Sequence, residues 1–484
     1  MHTIAATSSC RRACRRAAFV LAGSLGALAP VGAGAQVTLT IDAGAPGGPI
    51  PADFSGISME MQTLLPDKYG RYYFRAGNQP LLAMFRQLGI HNLRVGGNTA
   101  DNPAVAVPAG ANIDSLFAFA RAAGIKVIYT LRLRGNTDPG DDAVTARYVM
   151  AHYSSDVVCF EIGNEPNRYA KTYPAYHDLM ARFVDAITAA EVAPGARFCG
   201  PNTTPDKTEW ARQLAIAFAS SGHLALITQH AYPGGNARKV TDVVAARDTM
   251  LSRAWVRAYE KFYSGFGPTA AEQHVPYRIE ETNSFYNGGR QNVSDTHAAA
   301  LWALDYMYWW ATHGAAGLNF HTGDYVAAAD ESTPCRYALF WTASDGYEAH
   351  PIAYGVKAFD LGSHGRILPV RIESASDSDL TAYATLASDG SIYLTIINKE
   401  HDRAKGTSGV TVAVRAGKPY TSAVSIRLTN IDLAATSGET LGRSAIRDDG
   451  SWSGRWSTVR RTAPGSFSVA LPPGSAAVVH LMAR

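Results

Sequence analysis

Two glutamates in this sequence stand where apolar runs stop. Glu165 ends the stretch Val157-Val158-Cys159-Phe160-Glu161-Ile162-Gly163-Asn164-Glu165-Pro166, and Glu281 sits in Tyr277-Arg278-Ile279-Glu280-Glu281-Thr282-Asn283-Ser284. A short apolar run reads as a strand buried on both faces. Pro166 has no N–H to give a sheet and so closes the first strand. Each carboxylate is thereby expected at the C-terminal lip of a strand, with Asn164 beside the first. Two carboxylates presented from different lips can break a glycosidic bond, one protonating the leaving oxygen and the other attacking the anomeric carbon. A separation of ~5–5.5 Å gives retention, and roughly 6.5–9.5 Å gives inversion.

The elements that must position these groups follow a βα rhythm. Phe54–Glu60, His91–Gly96, Lys126–Leu133, Val157–Gly163, Arg197–Pro201, Leu224–Tyr232, Tyr277–Glu281 and Gly317–His321 read as strands. Helical periodicity separates them over Pro80–Leu88, Ile113–Ala123, Asp142–His152, Pro174–Ala190, Trp210–Ser220, an interrupted Val240–Tyr263, and Ser294–His313. Eight strands, each but the last followed by a helix, predict an α/β fold of the (β/α)8 TIM barrel type over residues 51–350, where catalytic groups gather at the C-terminal lips. From 351 to 484 helical periodicity gives way to short alternating runs between Gly, Asp, Ser and Pro turns, such as Leu386-Ala387-Ser388-Asp389-Gly390-Ser391. This pattern predicts a C-terminal antiparallel β-sandwich. Residues 36–50, with the alternating Val37–Ile41, have no place in the barrel count and are expected to pair into the sandwich.

Composition agrees with a two-domain globular chain: 484 residues, 46% hydrophobic and 18% charged. Residues 1–35 stand apart. Arg11, Arg12, Arg15 and Arg16 precede the apolar Ala17–Val31, and Ala33-Gly34-Ala35 follows. This is the pattern of a secretory signal peptide cleaved before Gln36, which implies a secreted or periplasmic protein. The formal net charge of +3 belongs to that segment, since without it 40 basic residues face 41 acidic ones. Global charge therefore gives no support to a nucleic-acid partner. Of the five cysteines, Cys159, Cys199 and Cys335 remain after cleavage. Cys159 and Cys199 lie in apolar runs and are expected to pack as small hydrophobic groups, in no disulfide framework. No spacing suits a metal, and no phosphate loop or dinucleotide fingerprint occurs.

At a finer level the chain resembles glycoside hydrolase family 79, the heparanase/β-glucuronidase family, and bacterial heparanases in particular. The likeness rests on Gly163-Asn164-Glu165-Pro166 and on Glu281-Thr282-Asn283-Ser284-Phe285-Tyr286-Asn287-Gly288-Gly289. It extends to Leu93-Arg94-Val95-Gly96-Gly97-Asn98, to Gln229-His230-Ala231-Tyr232 and to Leu318-Asn319-Phe320-His321 with Tyr325. The resemblance implies Glu165 as acid/base and Glu281 as nucleophile of a retaining enzyme, with Asn164 on the substrate 2-hydroxyl or the nucleophile. It implies that Tyr286, Gly288 and Tyr325 hold a glucuronate carboxylate. Glu60 and Asn98 are expected to bind hydroxyls of the same sugar. Arg94, His230 and Tyr232 are expected around Glu281, keeping it ionised. Arg168, Lys171, Arg238, Lys239 and Arg290 fall in loops on the active face and are candidate polyanion contacts.

Two sequence signals disagree over the nucleophile. Val275, Tyr277 and Ile279 form the apolar parity of their strand, which turns Glu280 toward the barrel interior. The family spacing selects Glu281, because Tyr286 and Gly288 count from it. Strand ends often bulge near active sites, so the spacing is preferred. The sequence thus points to a monomeric, secreted enzyme that hydrolyses β-glucuronic acid linkages, with heparan sulfate cut internally as the first expectation and exo-acting release of glucuronic acid as the second. Its partner would be a glucuronic-acid-containing polysaccharide or oligosaccharide, with no cofactor, metal, nucleic acid or membrane. A non-catalytic carbohydrate-binding protein on the same scaffold is the reading from a different class.

Overall fold

The computed structural model describes residues 36–135, 138–327, 332–374, 379–401 and 409–483. The export signal expected over residues 1–35 lies outside the described residues. After β1 (Gln36–Ile41) come eight strands: β2 (Ser55–Glu60), β3 (Asn92–Gly96), β4 (Lys126–Leu131), β5 (Val157–Ile162), β6 (Phe198–Pro201), β7 (Leu224–Ala231), β8 (Tyr277–Thr282) and β9 (Gly317–His321). Each pairs in parallel with the next, and β9 returns to β2, so the sheet closes into a barrel. Helices join the strands and form an outer ring, which makes this the (β/α)8 barrel that the βα rhythm predicts.

Strand parity decides what faces where. Ile57, Met59, Leu93, Val95, Tyr129, Leu131, Phe160, Ile162, Leu318 and Phe320 merge with the helices into one apolar cluster. The opposite parity carries Ser58, Arg94, Thr130, Glu161, Arg278 and Asn319 into the barrel, all buried. A barrel interior is more often filled with bulky aliphatic side chains. Here it is charged, and burial forces those charges to pair with one another.

Two sequence expectations are corrected. Cys159 and Cys199, read as separate small hydrophobic groups, form a disulfide. Their separation of 40 residues is one strand–helix unit. It brings equivalent inward positions of neighbouring β5 and β6 to a Cα–Cα distance of 5.8 Å, among Ile128, Ala225 and Leu226. The last barrel strand also has its helix, Pro351–Gly362, beyond two hairpins. Its residues Pro351 to Phe359 are all buried, so no polar stripe announces the period.

The C-terminal region is two packed sheets. One has five strands and holds β1 between Val370–Ser374, antiparallel to it, and Val410–Arg415, parallel to it. The pairing of β1 with Val410–Arg415 is the one parallel pair, among the described residues, in the antiparallel sandwich that the sequence predicts. The other sheet has seven strands and is buried on both sides. Leu394, Ile396 and Val479 face the five-stranded sheet, while Ile397, Ala476 and Val478 join the barrel's apolar cluster. A buried ion pair ties the domains: Lys399 Nζ lies 3.2 Å from Asp305, which also accepts from Thr381 and Tyr383. Among the described residues no helix is long and apolar enough to cross a membrane.

The disulfide gives a direct prediction. In a chain lacking residues 1–35, denatured without reductant, one thiol should react with a thiol reagent, that of Cys335, and three after reduction. Three reactive thiols before reduction would show that Cys159 and Cys199 are unbonded.

Candidate active site

Glu165 stands on a strained turn at the end of β5. Gly163 and Glu165 both take positive φ, 75° and 49°. A left-handed non-glycine residue costs ~1–3 kcal/mol and persists where its surroundings over-determine it. Those surroundings are specific. Buried Asp101 accepts from the Asn164 N–H at 2.7 Å through one oxygen, and from the Leu133 and Arg134 N–H groups through the other. Asn202 donates to the Gly163 carbonyl at 2.7 Å. The turn is clamped from the loops after β3 and β6, and the carboxylate is aimed over the barrel mouth.

Glu281 reaches the same mouth through a register shift. Thr228 pairs with Arg278, but His230 pairs with Glu281, so β8 gains a residue relative to β7. A bulge of this kind lets two successive side chains face one way. Both sequence signals are therefore met by different residues: Glu280 drops into the barrel with no exposed surface, and Glu281 lines the cavity above it.

One arginine and one histidine organise the pair. Arg94, fully buried, donates from Nε to Glu161 at 2.9 Å, from Nη1 to Glu281 at 2.7 Å and to Ser58, and from Nη2 to Asn164 at 2.8 Å. Tyr232 donates to the other oxygen of Glu281 at 2.9 Å. His230 Nδ1 lies 3.2 Å from Glu165 Oε1 and 3.7 Å from Glu281 Oε1. The two oxygens can be no further apart than those legs laid end to end. That span reaches only the lowest edge of the inverting range of roughly 6.5–9.5 Å, and contains the retaining ~5–5.5 Å.

Burial pushes the Glu281 carboxyl up, but His230, His321 and Arg94, with the Tyr232 hydrogen bond, outweigh it and hold the group well below the usual carboxylate range. Burial would lower His230, yet Glu281, Glu165 and Glu280 overcome this and push it up to about 10. The site therefore holds an ionised Glu281 against an imidazolium. Glu280 is pushed up to about 7, by burial first and by Glu161 next, against the pull of His230 and Arg94.

The cavity over these groups measures about 240 Å³. Of the residues singled out in the sequence, Glu60, Asn98, Glu165, Arg168, Tyr232, Glu281 and Tyr286 line it. His230 lies just beneath, bonded to Glu165 of its wall, and Asn164 is buried, bonded to Arg94. Glu60 is already engaged by Thr99 and the Ala327 N–H. Asn98 donates to the Ala327 carbonyl, and Arg168 Nη2 lies 2.5 Å from Glu165 Oε2. Gly288, Tyr325, Lys171, Arg238, Lys239 and Arg290 do not line it. Gly288 is pressed under the hairpin that begins at Tyr325, 2.8 Å from the Pro334 carbonyl at the Cβ position, and Tyr325 is 60% exposed. Lys171 donates to the Arg168 carbonyl.

Residues not singled out complete the wall: Thr204, Pro205, Asp206, Asn287, His321, Val326, Ala327 and Tyr337. His321 ends an apolar strand run and was open to the same logic as Glu165. Val326 and Ala327 lie in the three-residue hairpin strand that begins at Tyr325, and Tyr337 in the turn beyond the hairpin, pieces too short to show a period.

No protein-family model matches the chain, and no curated protein matches it. Among solved structures it is similar to a 4-O-α-L-rhamnosyl-β-D-glucuronidase from Fusarium oxysporum 12S, at 18% identity and a TM-score of 0.69 over 92% of this chain and 100% of that one. It is similar to a GH51 arabinofuranosidase from Xanthomonas axonopodis pv. citri, at 16% identity and a TM-score of 0.65 over 93% and 100%. A bifunctional glucanase-xylanase, CelM2, from a metagenome library matches at 15% identity and a TM-score of 0.60 over 93% and 99%. At these identities the likeness shows a shared fold, spanning barrel and sandwich together.

The raised His230 makes stability depend on pH in a defined direction. The imidazolium is favoured in the folded chain, so its contribution is complete below 6.5, the ordinary value, and is lost as the pH climbs toward about 10. The melting temperature should fall across that window, and more gently in His230→Gln. Identical slopes in the two proteins would refute the charge assignment.

Proposed function

We propose that this protein is a secreted retaining glycosidase that cleaves β-linked glucuronic acid by double displacement. The observation that carries this reading is the sharing of His230 Nδ1 by Glu165 and Glu281, two carboxylates at the lips of different barrel strands. In the first step Glu281 attacks the anomeric carbon while Glu165 gives its proton to the departing oxygen. In the second, Glu165 takes a proton from water, which displaces Glu281 from the sugar. The ionisation of Glu281 supports the nucleophile's role.

The choice of glucuronic acid rests on the likeness to family 79 in the segment from Glu281 to Gly289, and Tyr286 at the cavity wall supports it. A glucuronidase among the proteins sharing this fold is consistent with that choice. Internal cleavage of heparan sulfate remains the first reading, supported by Arg168 on the cavity rim beside Glu165, where a sulfate or carboxylate of a longer chain could meet it. A specific observation favours exo action as the second. The cavity, about 240 Å³, is smaller than the ~300–1,000 Å³ that enclose a drug-sized ligand, and suits one terminal sugar.

Incubation with heparan sulfate and with an aryl β-glucuronide separates these readings. Shortened chains without released monosaccharide mean endo action, and aryl glycoside turnover alone means exo action. Turnover of no glucuronide would sink the proposal. Glu281→Gln should abolish turnover, while Glu280→Gln retains a measurable rate; the opposite outcome would move the nucleophile to Glu280. Tyr286→Phe should weaken glucuronide binding by about tenfold to a hundredfold, the worth of a hydrogen bond to a charged group, and leave a glucoside nearly unaffected. Equal losses on both sugars would remove Tyr286 from carboxylate recognition.

A further inference from the structure

Glu280 is a buried carboxylate whose oxygens the fold leaves without a hydrogen-bond donor among the described residues, and it has no exposed surface. A charge in that state is costly, and an amide or a leucine of similar size would cost less. Its charged neighbours come from four strands: Arg94 on β3, Glu161 on β5, His230 on β7 and Arg278 on β8. Hydroxyls fill the same level, Ser58 on Arg94 and Thr130 on Glu161. Of these contacts the one with His230 is close, 3.2 Å from Glu280 Oε1 to Nε2, though off the line that a hydrogen bond requires. The opposite ring nitrogen faces Glu165 and Glu281. The imidazole is therefore held on both sides by acids, two from the cavity and one from the barrel floor.

We infer that Glu280 is a positioning residue that holds the His230 ring from behind, so that its Nδ1–H stays directed at the Glu165–Glu281 pair while negative charge passes between them. The inference rests on the proposed roles of those two glutamates. During glycosylation the bond from C1 to the leaving oxygen breaks as a Glu281 oxygen bonds to C1, and the Glu165 proton goes to the leaving oxygen. Glu281 loses its charge and Glu165 gains one. Attack by water, whose proton returns to Glu165, reverses both changes. A cation fixed within reach of both oxygens stabilises either distribution without reorganising. His230 has that position, and Glu280, ionised above about pH 7, supplies the countercharge that keeps it cationic when Glu281 is neutralised in the ester. The push that raises His230 to about 10 includes the contribution of Glu280.

The test reads the ring itself. Side-chain nitrogen NMR of histidine-labelled protein, with the His230 signal assigned by its absence in His230→Gln, gives the titration midpoint. In the wild-type protein it should lie far above 6.5, and in Glu280→Gln it should fall by about one pH unit or more. On an aryl β-glucuronide at pH 8, where Glu280 is ionised in the wild-type protein, Glu280→Gln should lower kcat while KM stays nearly constant. A midpoint near 6.5 in the wild-type protein, or one that Glu280→Gln leaves unmoved, overturns the inference. If Glu280→Gln does not fold, Glu280→Asp keeps the charge on a shorter arm and should lower the midpoint by a smaller amount; an unmoved midpoint there is equally fatal. Wild-type protein inert on every glucuronide would defeat the proposed function, and the NMR midpoints would still decide whether Glu280 governs His230.

Discussion

A guanidinium sealed from water has to satisfy its N–H groups within the protein, and Arg94 does so by gathering the site around itself. It has no exposed surface, and its donors go to Glu161, Ser58, Glu281 and Asn164. Those four residues come from three strands and from the turn that carries Glu165. The requirement that a buried cation be fully paired thus sets the height of the nucleophile and the orientation of Asn164 at once. Removing the positive charge would leave Glu161 and Glu281 facing each other without a mediator.

The two catalytic candidates arrive by opposite departures from regular structure. Glu165 is carried on a turn whose backbone sits in the left-handed region, braced by Asp101 and Asn202. Glu281 is carried on a strand that gains a residue against its neighbour. Regular parity on β8 would have put a single acid into the barrel. The bulge puts two acids on one side at different depths, one lining the cavity and one in the floor, with His230 between them. Local irregularity is what converts a structural interior into a reactive surface.

Much of this was legible in the sequence. Buried parallel strands are uniform apolar runs, so Val157–Ile162 and Leu224–Ala231 announce themselves, and Pro166 marks the lip where a carboxylate can matter. What stayed hidden depends on partners far away in the chain. Cys159 and Cys199 look like ordinary core residues until the closing of the barrel sets their strands side by side. The helix Pro351–Gly362 is wrapped on nearly every side and has no polar face to reveal it. Tyr337 and Val326 reach the cavity from a segment folded by contact with Gly288 and Asp324 rather than by its own pattern. Tyr325 and Gly288 illustrate the reverse: family spacing carried them into the site, and the hairpin holds both outside the cavity wall.

The place of β1 bears on the order in which the molecule can be assembled. Thr38 lies between Glu373 and Ala413, so the first described strand has both its neighbours in the far third of the chain. Until that third exists, Val37, Leu39 and Ile41 have no sheet to enter, and pairings of such long range form late because their loop-closure cost must be met first. The barrel can close while this segment still trails loose. A chain built this way cannot complete its five-stranded sheet until its trailing third is made.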